Sequence, residues 1–305
     1  MANRDIRVID PILSSISRGY KNAAYVGMAL FPRVNVNASG GQILQFGKEA
    51  FMKYNTRRAP GAATKRISFG YEGMPFALEN HALEALVPTE WQRDAKVIPG
   101  VDLATRAINL TSEVTARQLE EQQAALATTA ANYPTANVET LTGAGSLAGI
   151  SNITKWIDDK KELIRSGIVM YPNKMIIGPK VFNVLRNLPA VRENYKYTTS
   201  ASITVQMISQ FFDIPQIYIG MGVACGQDGK FFDIWGNDMV LAYSPDSPQG
   251  REEPSYGYTY TMEGHPAVKQ PYFDDNRDSW VYGTKEERVP VIAGAGAAVL
   301  IKNAG

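Results

Sequence analysis

The period of the hydrophobic positions changes several times along the chain, and each change marks an element. Leu103, Ala107, Leu110 and Val114 recur at helical spacing within residues 101 to 133. Asp102, after Pro99 and Gly100, suits an N-cap, and Pro134 suits a stop. The pattern predicts a helix over 101–133, about 45 Å long at 1.5 Å per residue. That exceeds the usual three or four turns. A rod of this length suits a structural beam, with an ordinary long core helix as the alternative.

Residues 150–245 read as a compact α/β module. Ser151 or Asn152 can cap a helix carrying Ile153, Trp156, Ile157 and Ile164, which Gly167 ends. "KMIIG" predicts a short buried strand, and Pro179 opens a helix with Val181, Val184 and Leu185 facing inward. Val205, Ile208 and Phe212 in "SITVQMISQFF" mark another helix, followed by the strand "IYIG". The strands "KFFDIW" and "MVLAY" are expected to close the module around a turn at Gly236, Asn237 and Asp238. Beyond 250, Tyr256, Tyr258, Tyr260 and Met262 alternate with Gly257, Thr259 and Thr261, which predicts a half-buried strand with an aromatic face. Trp280 and Tyr282 repeat the habit. The tail "VPVIAGAGAAVLIKNAG" reads as one more strand with a small-residue middle.

The N-terminal third is looser. Residues 1–36 read as an arm: Pro11 and Pro32 interrupt short apolar patches, and the segment is expected to lie on another surface rather than form a core. In "SSISRGYKNAAYVGMALFP" there is room for one short helix before Gly27. "ILQF" and the trio Ile67, Phe69 and Tyr71 give period-two patterns flanking a long loop, a hairpin that is marginal without a surface beneath it. The finger carries Lys48, Lys53, Arg57, Arg58, Lys65 and Arg66 against Glu49 alone, a local charge of +5.

That charge is local because the whole chain is nearly neutral. Its 305 residues hold 31 basic and 30 acidic side chains, so no overall field draws it to nucleic acid or membrane. One cysteine, Cys225, excludes an intramolecular disulfide framework and fits a reducing compartment. No signal peptide and no membrane-spanning run is expected.

Candidate chemistry is thin. "GAGSLAG" pairs Gly143 with Gly145, but Gly149 comes one place late for a dinucleotide loop. "GQDGK" has Ala224 where a phosphate loop needs its first glycine, and reads as a hairpin turn. His81 and His265 stand 184 positions apart without metal-ligand spacing. Cys225 reads as a small buried residue. The pairs Asp158/Asp159, Glu252/Glu253 and Asp274/Asp275 lack supporting ligands, and no G-x-S-x-G occurs. No enzyme activity, cofactor or metal is expected; an α/β enzyme with a poorly recognisable site is a distant rival. The basic finger can bind phosphates without sequence preference. Only Phe51 and Tyr54 could stack bases there, so acids on a neighbouring copy suit it equally well.

An arm, a long hairpin, a lone long helix, a compact α/β module and a return to long strands follow one another in the order of the Hong Kong 97-type major capsid proteins of tailed bacteriophages, which the chain resembles. "NKMIIGPKVFNVLRNLPAVRENYKY" is similar to the strand–helix of phage axial domains, and "SITVQMISQFFDIPQIYIG" to the next helix and strand. "WGNDMVLAYSP", "SYGYTY" and the tail with Trp280 resemble the end of the lambda-type coat proteins. The resemblance implies an α+β fold with an N-terminal arm (1–36), an extended E-loop hairpin (37–76), a peripheral (P) domain with its spine helix (77–140), an axial (A) domain (141–246), further P-domain strands (247–287) and a C-terminal strand (288–305) of either domain. It implies pentamers and hexamers of this chain in an icosahedral virion shell around double-stranded DNA, assembled in the host bacterial cytoplasm. Scaffolding, portal and decoration proteins and non-specific contact with packaged DNA are the further partners implied; a membrane is not. No charged helical segment precedes the arm, so a fused scaffolding domain is not expected. By this resemblance the finger lies across the adjacent subunit, with Lys53, Arg57, Arg58, Lys65 and Arg66 as intersubunit contacts. An encapsulin-like compartment enclosing cargo enzymes is the rival on the same fold.

Overall fold

The structure, a computed structural model, describes residues 10, 13–14, 17, 22–44, 56–59, 63–64, 66, 73–95, 102–142, 146–196, 203–246 and 255–305. Two sheets and one long helix organise it. The strands are β1 (Arg33–Val36), β2 (Gly40–Leu44), β3 (Gly73–Ala77), β4 (Glu79–Pro88), β5 (Val138–Thr140), β6 (Lys174–Ile177), β7 (Gln216–Ile219), β8 (Val223–Cys225), β9 (Phe231–Asp233), β10 (Met239–Ala242), β11 (Gly257–Met262), β12 (Ala267–Val268), β13 (Tyr272–Asp274), β14 (Ser279–Ile292) and β15 (Ala298–Lys302). The helices are α1 (Thr89–Ala95), α2 (Leu103–Thr128), α3 (Ile153–Ile168), α4 (Pro179–Asn187), α5 (Pro189–Asn194) and α6 (Val205–Phe212).

The long helix α2 starts where expected, with Asp102 accepting from the Ala104 amide at 3.0 Å. It stops before the predicted Pro134, at Thr128. The reason lies in its final carbonyls, which a helix cannot satisfy by itself. Those of Ala125, Leu126, Ala127 and Thr128 accept from Thr129 Oγ1 (2.6 Å), Asn132 Nδ2 (2.9 Å), the Tyr133 hydroxyl (2.6 Å) and Lys302 Nζ (3.2 Å). Side chains thus replace the next helical turn. The predicted apolar stripe is also corrected: Leu110 is 60% exposed, and the buried face runs through Ala107, Ile108, Thr111, Ser112, Leu119, Glu120, Gln123, Ala124 and Ala127.

This face lies on a six-stranded sheet whose axis is the 14-residue β14. Along its length β14 pairs with β13, β12, β4 and β11, and β11 pairs in parallel with β1. Ala107 and Ile108 pack there against Val87, Val268 and Tyr282. The strand at 257–262, expected to be half-buried, is buried on both faces: Tyr258 and Tyr260 on one, Thr259 and Thr261 on the other. The threonine side is covered because Thr259 bonds to the Phe31 carbonyl at 2.9 Å and receives Gln123 Nε2 at 2.9 Å.

The second sheet has the order β5-β15-β10-β6-β7. One face, with Met175, Ile177, Leu241, Val299 and Ile301, packs on Ile157, Ile164, Val181, Leu185, Ile208 and Phe212 of the helices. The other face, with Ile176, Val240, Ala242 and Leu300, packs on Val26, Leu30, Phe31, Trp235 and the end of α2. Both faces being covered explains why β6 and β10 read as continuous apolar runs. Three expectations change here. "VPVIAGAGAAVLIK" is not one strand: "VPVI" ends β14 in the first sheet, a 3₁₀ turn at Ala295–Ala297 follows, and β15 lies inside the second sheet. "KFFDIW" does not join this sheet; β9 pairs with β8 as a separate ribbon. Gly167 does not end α3, which runs to Ile168 and is capped by Val169 in the left-handed region (φ 62°).

The largest revision concerns residues 26–36. They were expected to rest on another surface, yet Leu30 and Phe31 are fully buried in this chain and β1 is a strand of its sheet. Phe31→Ala should therefore cost about 3–5 kcal/mol, the usual loss for a buried aromatic. Urea unfolding of the monomer measures it; an unchanged midpoint would place this segment outside the subunit's own core.

Candidate functional site

Two groups of residues stand out: the basic finger and a set of buried charges that join the N-terminal segment to the rest. The finger's base is a regular antiparallel pair, Gly40 opposite Ala77 through Leu44 opposite Gly73. Phe76 holds it down by stacking on Tyr260, with ring centroids 4.2 Å apart and planes 11° apart. Gly41 is required beneath that ring, because a Cβ there would lie 2.9 Å from Phe76. Of the predicted contact residues, Arg57, Arg58 and Arg66 are described and exposed. Arg58 Nη1 donates to Thr64 Oγ1 at 3.1 Å, a local bond that ties the two sides of the tip. Lys53 and Lys65 lie outside the described residues, as do Lys48, Phe51, Tyr54, Ile67, Phe69 and Tyr71 and the pairs Gly143/Gly145 and Glu252/Glu253.

The buried set escaped the sequence reading. Glu120 is 2% exposed. Its carboxylate accepts from the amides of Val26 and Gly27, both at 2.8 Å, and from the Trp235 indole at 2.6 Å. One side chain of α2 thereby fixes the N-terminal segment and the loop before β10 together. Two turns earlier, Glu113 accepts from Asn22 Nδ2 at 3.1 Å and from the Tyr25 hydroxyl at 2.5 Å. On the neighbouring sheet, Glu286 sits between Arg33, at 2.8 Å, and Arg288. Arg288 also donates to the Thr115 carbonyl at 2.7 Å, so the triad links β1, β14 and α2. Arg33, Glu120, Glu286 and Arg288 border a cavity of about 730 Å³. The spacing of Glu113 and Glu120, seven apart on one helical face, was the available signal.

Other candidates have structural duties. His265 Nδ1 accepts from the Glu287 amide at 3.2 Å. Asp158 pairs with Lys161 at 3.1 Å, and Asp274 accepts from the Asn276 amide at 3.0 Å. "GQDGK" is the turn of the β8–β9 ribbon, with Gly229 at φ 76°. Cys225 is exposed rather than buried. Among the described residues no group of three or more His, Cys, Asp or Glu could hold a metal ion, and no described helix is long and apolar enough to cross a membrane.

Burial pushes the Glu120 carboxyl up from its ordinary value, against the pull of Trp235, Val26 and Gly27. A raised carboxyl binds its proton more tightly when folded, so its contribution to stability is greatest in acid and is lost as pH rises through the folded value. Glu120→Gln removes that titration and leaves every other group in place. The stability of wild type relative to Glu120→Gln should therefore fall from pH 4.5 towards neutrality and then level. Paired urea titrations across that range check it; a difference that is flat, or that grows with pH, contradicts the burial argument.

Comparison with known proteins follows the same lines. No family model matches the chain. It is 33% identical over 302 residues to the major capsid protein of Burkholderia phage BcepMu, covering 97% of this chain and 96% of that one. A crystal structure of a phage-related protein from Bordetella bronchiseptica RB50 superposes with a TM-score of 0.83 at 42% identity, over 99% of both chains. The satellite phage P4 procapsid (TM-score 0.56, 11% identity, 99% of this chain and 92% of that one) and the SrpI encapsulin of Synechococcus elongatus (0.51, 13%, 99% and 96%) share the fold. A two-sheet body built around one long helix is thus an architecture shared with known phage capsid proteins. The chain belongs to the phage major capsid proteins of the Hong Kong 97-type fold.

Proposed function

We propose that this chain assembles into pentamers and hexamers that close an icosahedral head around double-stranded DNA, inside the host bacterium. In this reading the five-stranded sheet and its helices form the axial domain. The six-stranded sheet with α2 forms the peripheral domain, and the hairpin rising from β2 and β3 is the E-loop. Scaffolding, portal and decoration proteins are further partners of the assembly. The packaged DNA is a non-specific one, since a chain of net charge +1 offers it only local patches.

One observation carries the role of the finger. Its base is pinned by Phe76 on Tyr260, while Arg57, Arg58 and Arg66 at its tip are all exposed. Such an extension gains a fixed position when it lies on another copy, and symmetry gives every copy the same neighbour. Acids on that neighbour are the counterpart we assign to Lys53, Arg57, Arg58, Lys65 and Arg66.

Reversing Arg57 and Arg58 to Glu tests this. Each exposed pair contributes only about 0.2–1 kcal/mol, but every subunit of a shell repeats the loss. Shell yield should fall and depend more steeply on salt, with little change in monomer melting, because both arginines are exposed and the Arg58–Thr64 bond is local to the finger. Normal empty shells with poor genome retention would instead assign the patch to DNA.

A further inference from the structure

The β8–β9 ribbon follows the second sheet's edge strand β7 and carries exposed apolar side chains among the described residues. Its register sets Val223 opposite Asp233 and Cys225 opposite Phe231, so these four share one side. Phe231 is 78% exposed, and Met221, Val223, Cys225 and Phe232 are exposed around it. Val223, Phe231, Phe232 and Asp233 line an open cleft of about 580 Å³ together with Lys180, Gly236 and Asn237. Large contiguous apolar surface on a soluble subunit marks an interaction site.

A second apolar patch lies at the other end of the same sheet. Strands β6 and β7 run in parallel, Lys174 beside Gln216 and Ile177 beside Ile219. Val169, Met170 and Tyr171 lie just before the start of β6 and are exposed. The ribbon leaves from the end of β7, where the Gly220 amide bonds to the Ile177 carbonyl at 2.9 Å. Four residues of strand, roughly 13 Å, separate the two ends. The Tyr171 ring is held ready although it is 54% exposed. Its hydroxyl donates to Glu162 at 2.6 Å, and the Arg165 guanidinium lies 5.7 Å from its ring centre. Rigid, exposed aromatic side chains are the usual anchors of an interface.

Two unlike patches at opposite ends of one sheet are what a head-to-tail contact needs, since an isologous pair would use one patch twice. We infer that the β8–β9 ribbon of each copy packs through Phe231 against Val169–Tyr171 of the next copy, a contact separate from the finger that sets the subunits in a ring. The inference rests on the shell-forming reading, which supplies a second copy as the occupant.

Disulfide trapping tests it, because Cys225 already stands on the proposed face. In particles of Met170→Cys, mild oxidation should link successive subunits into a ladder of dimers, trimers and higher forms on a non-reducing gel. A disulfide requires Cα atoms within about 7 Å, and the two positions lie at opposite ends of one sheet, beyond that reach, so the bond forms only between copies. Adding Cys225→Ser should abolish the ladder. Particles that assemble without any ladder overturn the contact, as do dimers that persist in the double variant, since those would join like to like. Separately, Phe231→Asp should raise the concentration needed for assembly at least tenfold while leaving monomer melting unchanged; assembly at the wild-type concentration also overturns it. A wild-type chain that sediments only as monomer under all assembly conditions fails the shell reading itself, and this contact with it.

Discussion

A carboxylate taken out of water is costly unless donors replace its hydration, and Glu120 recovers part of that cost with donors from two separate parts of the chain. Much of the architecture depends on this exchange. Without Glu120 the amides of Val26 and Gly27 and the Trp235 indole would be buried without an acceptor, each at a cost of about 1–3 kcal/mol. With it, the N-terminal segment is held where Leu30 and Phe31 complete the second face of the five-stranded sheet. Trp235 in turn fixes the turn leading into β10. The long helix is therefore more than a beam: its polar face is the joint between the two sheets.

The same logic recurs at Gln123, Thr259 and the Arg33–Glu286–Arg288 triad. A buried ion pair adds little net stability compared with an apolar pair of the same shape, but removing one partner is strongly destabilising. Such groups therefore act more on geometry than on total stability. They allow one arrangement of helix, sheet and N-terminal segment and penalise the others. A subunit that must repeat the same contacts around a closed shell benefits from that restriction.

Sequence reasoning found what local pattern can encode. The module helices carry their starts and apolar spacings within short windows, as at Asn152 and Pro179. The finger's charge was legible because an otherwise neutral chain concentrates it in one stretch. The buried face of α2 was not, because periodicity counts apolar residues, whereas Thr111, Ser112, Glu120 and Gln123 read as solvent-facing until their partners are known. Those partners are remote: Trp235 lies 115 positions from Glu120, and Glu286 lies 253 from Arg33. For the same reason residues 1–36 read as an arm lying on another surface, and the threonine side of β11 looked exposed. The end of the last long strand was missed because no window of sequence records a change of sheet.

Where β15 sits has a further consequence for how the subunit is made. It enters between β5 and β10, although the other strands of that sheet all come from residues 138–242. A ribosome must deliver Ala298–Lys302 before the sheet can close, and Lys302 Nζ is also the group that meets the final carbonyl of the long helix. Pairing across such sequence separation is late and slow. A nascent or prematurely terminated chain lacking these residues would keep an open gap in its central sheet and expose apolar faces. The position of one short strand thus makes completion of the central sheet depend on the last of its strands to leave the ribosome.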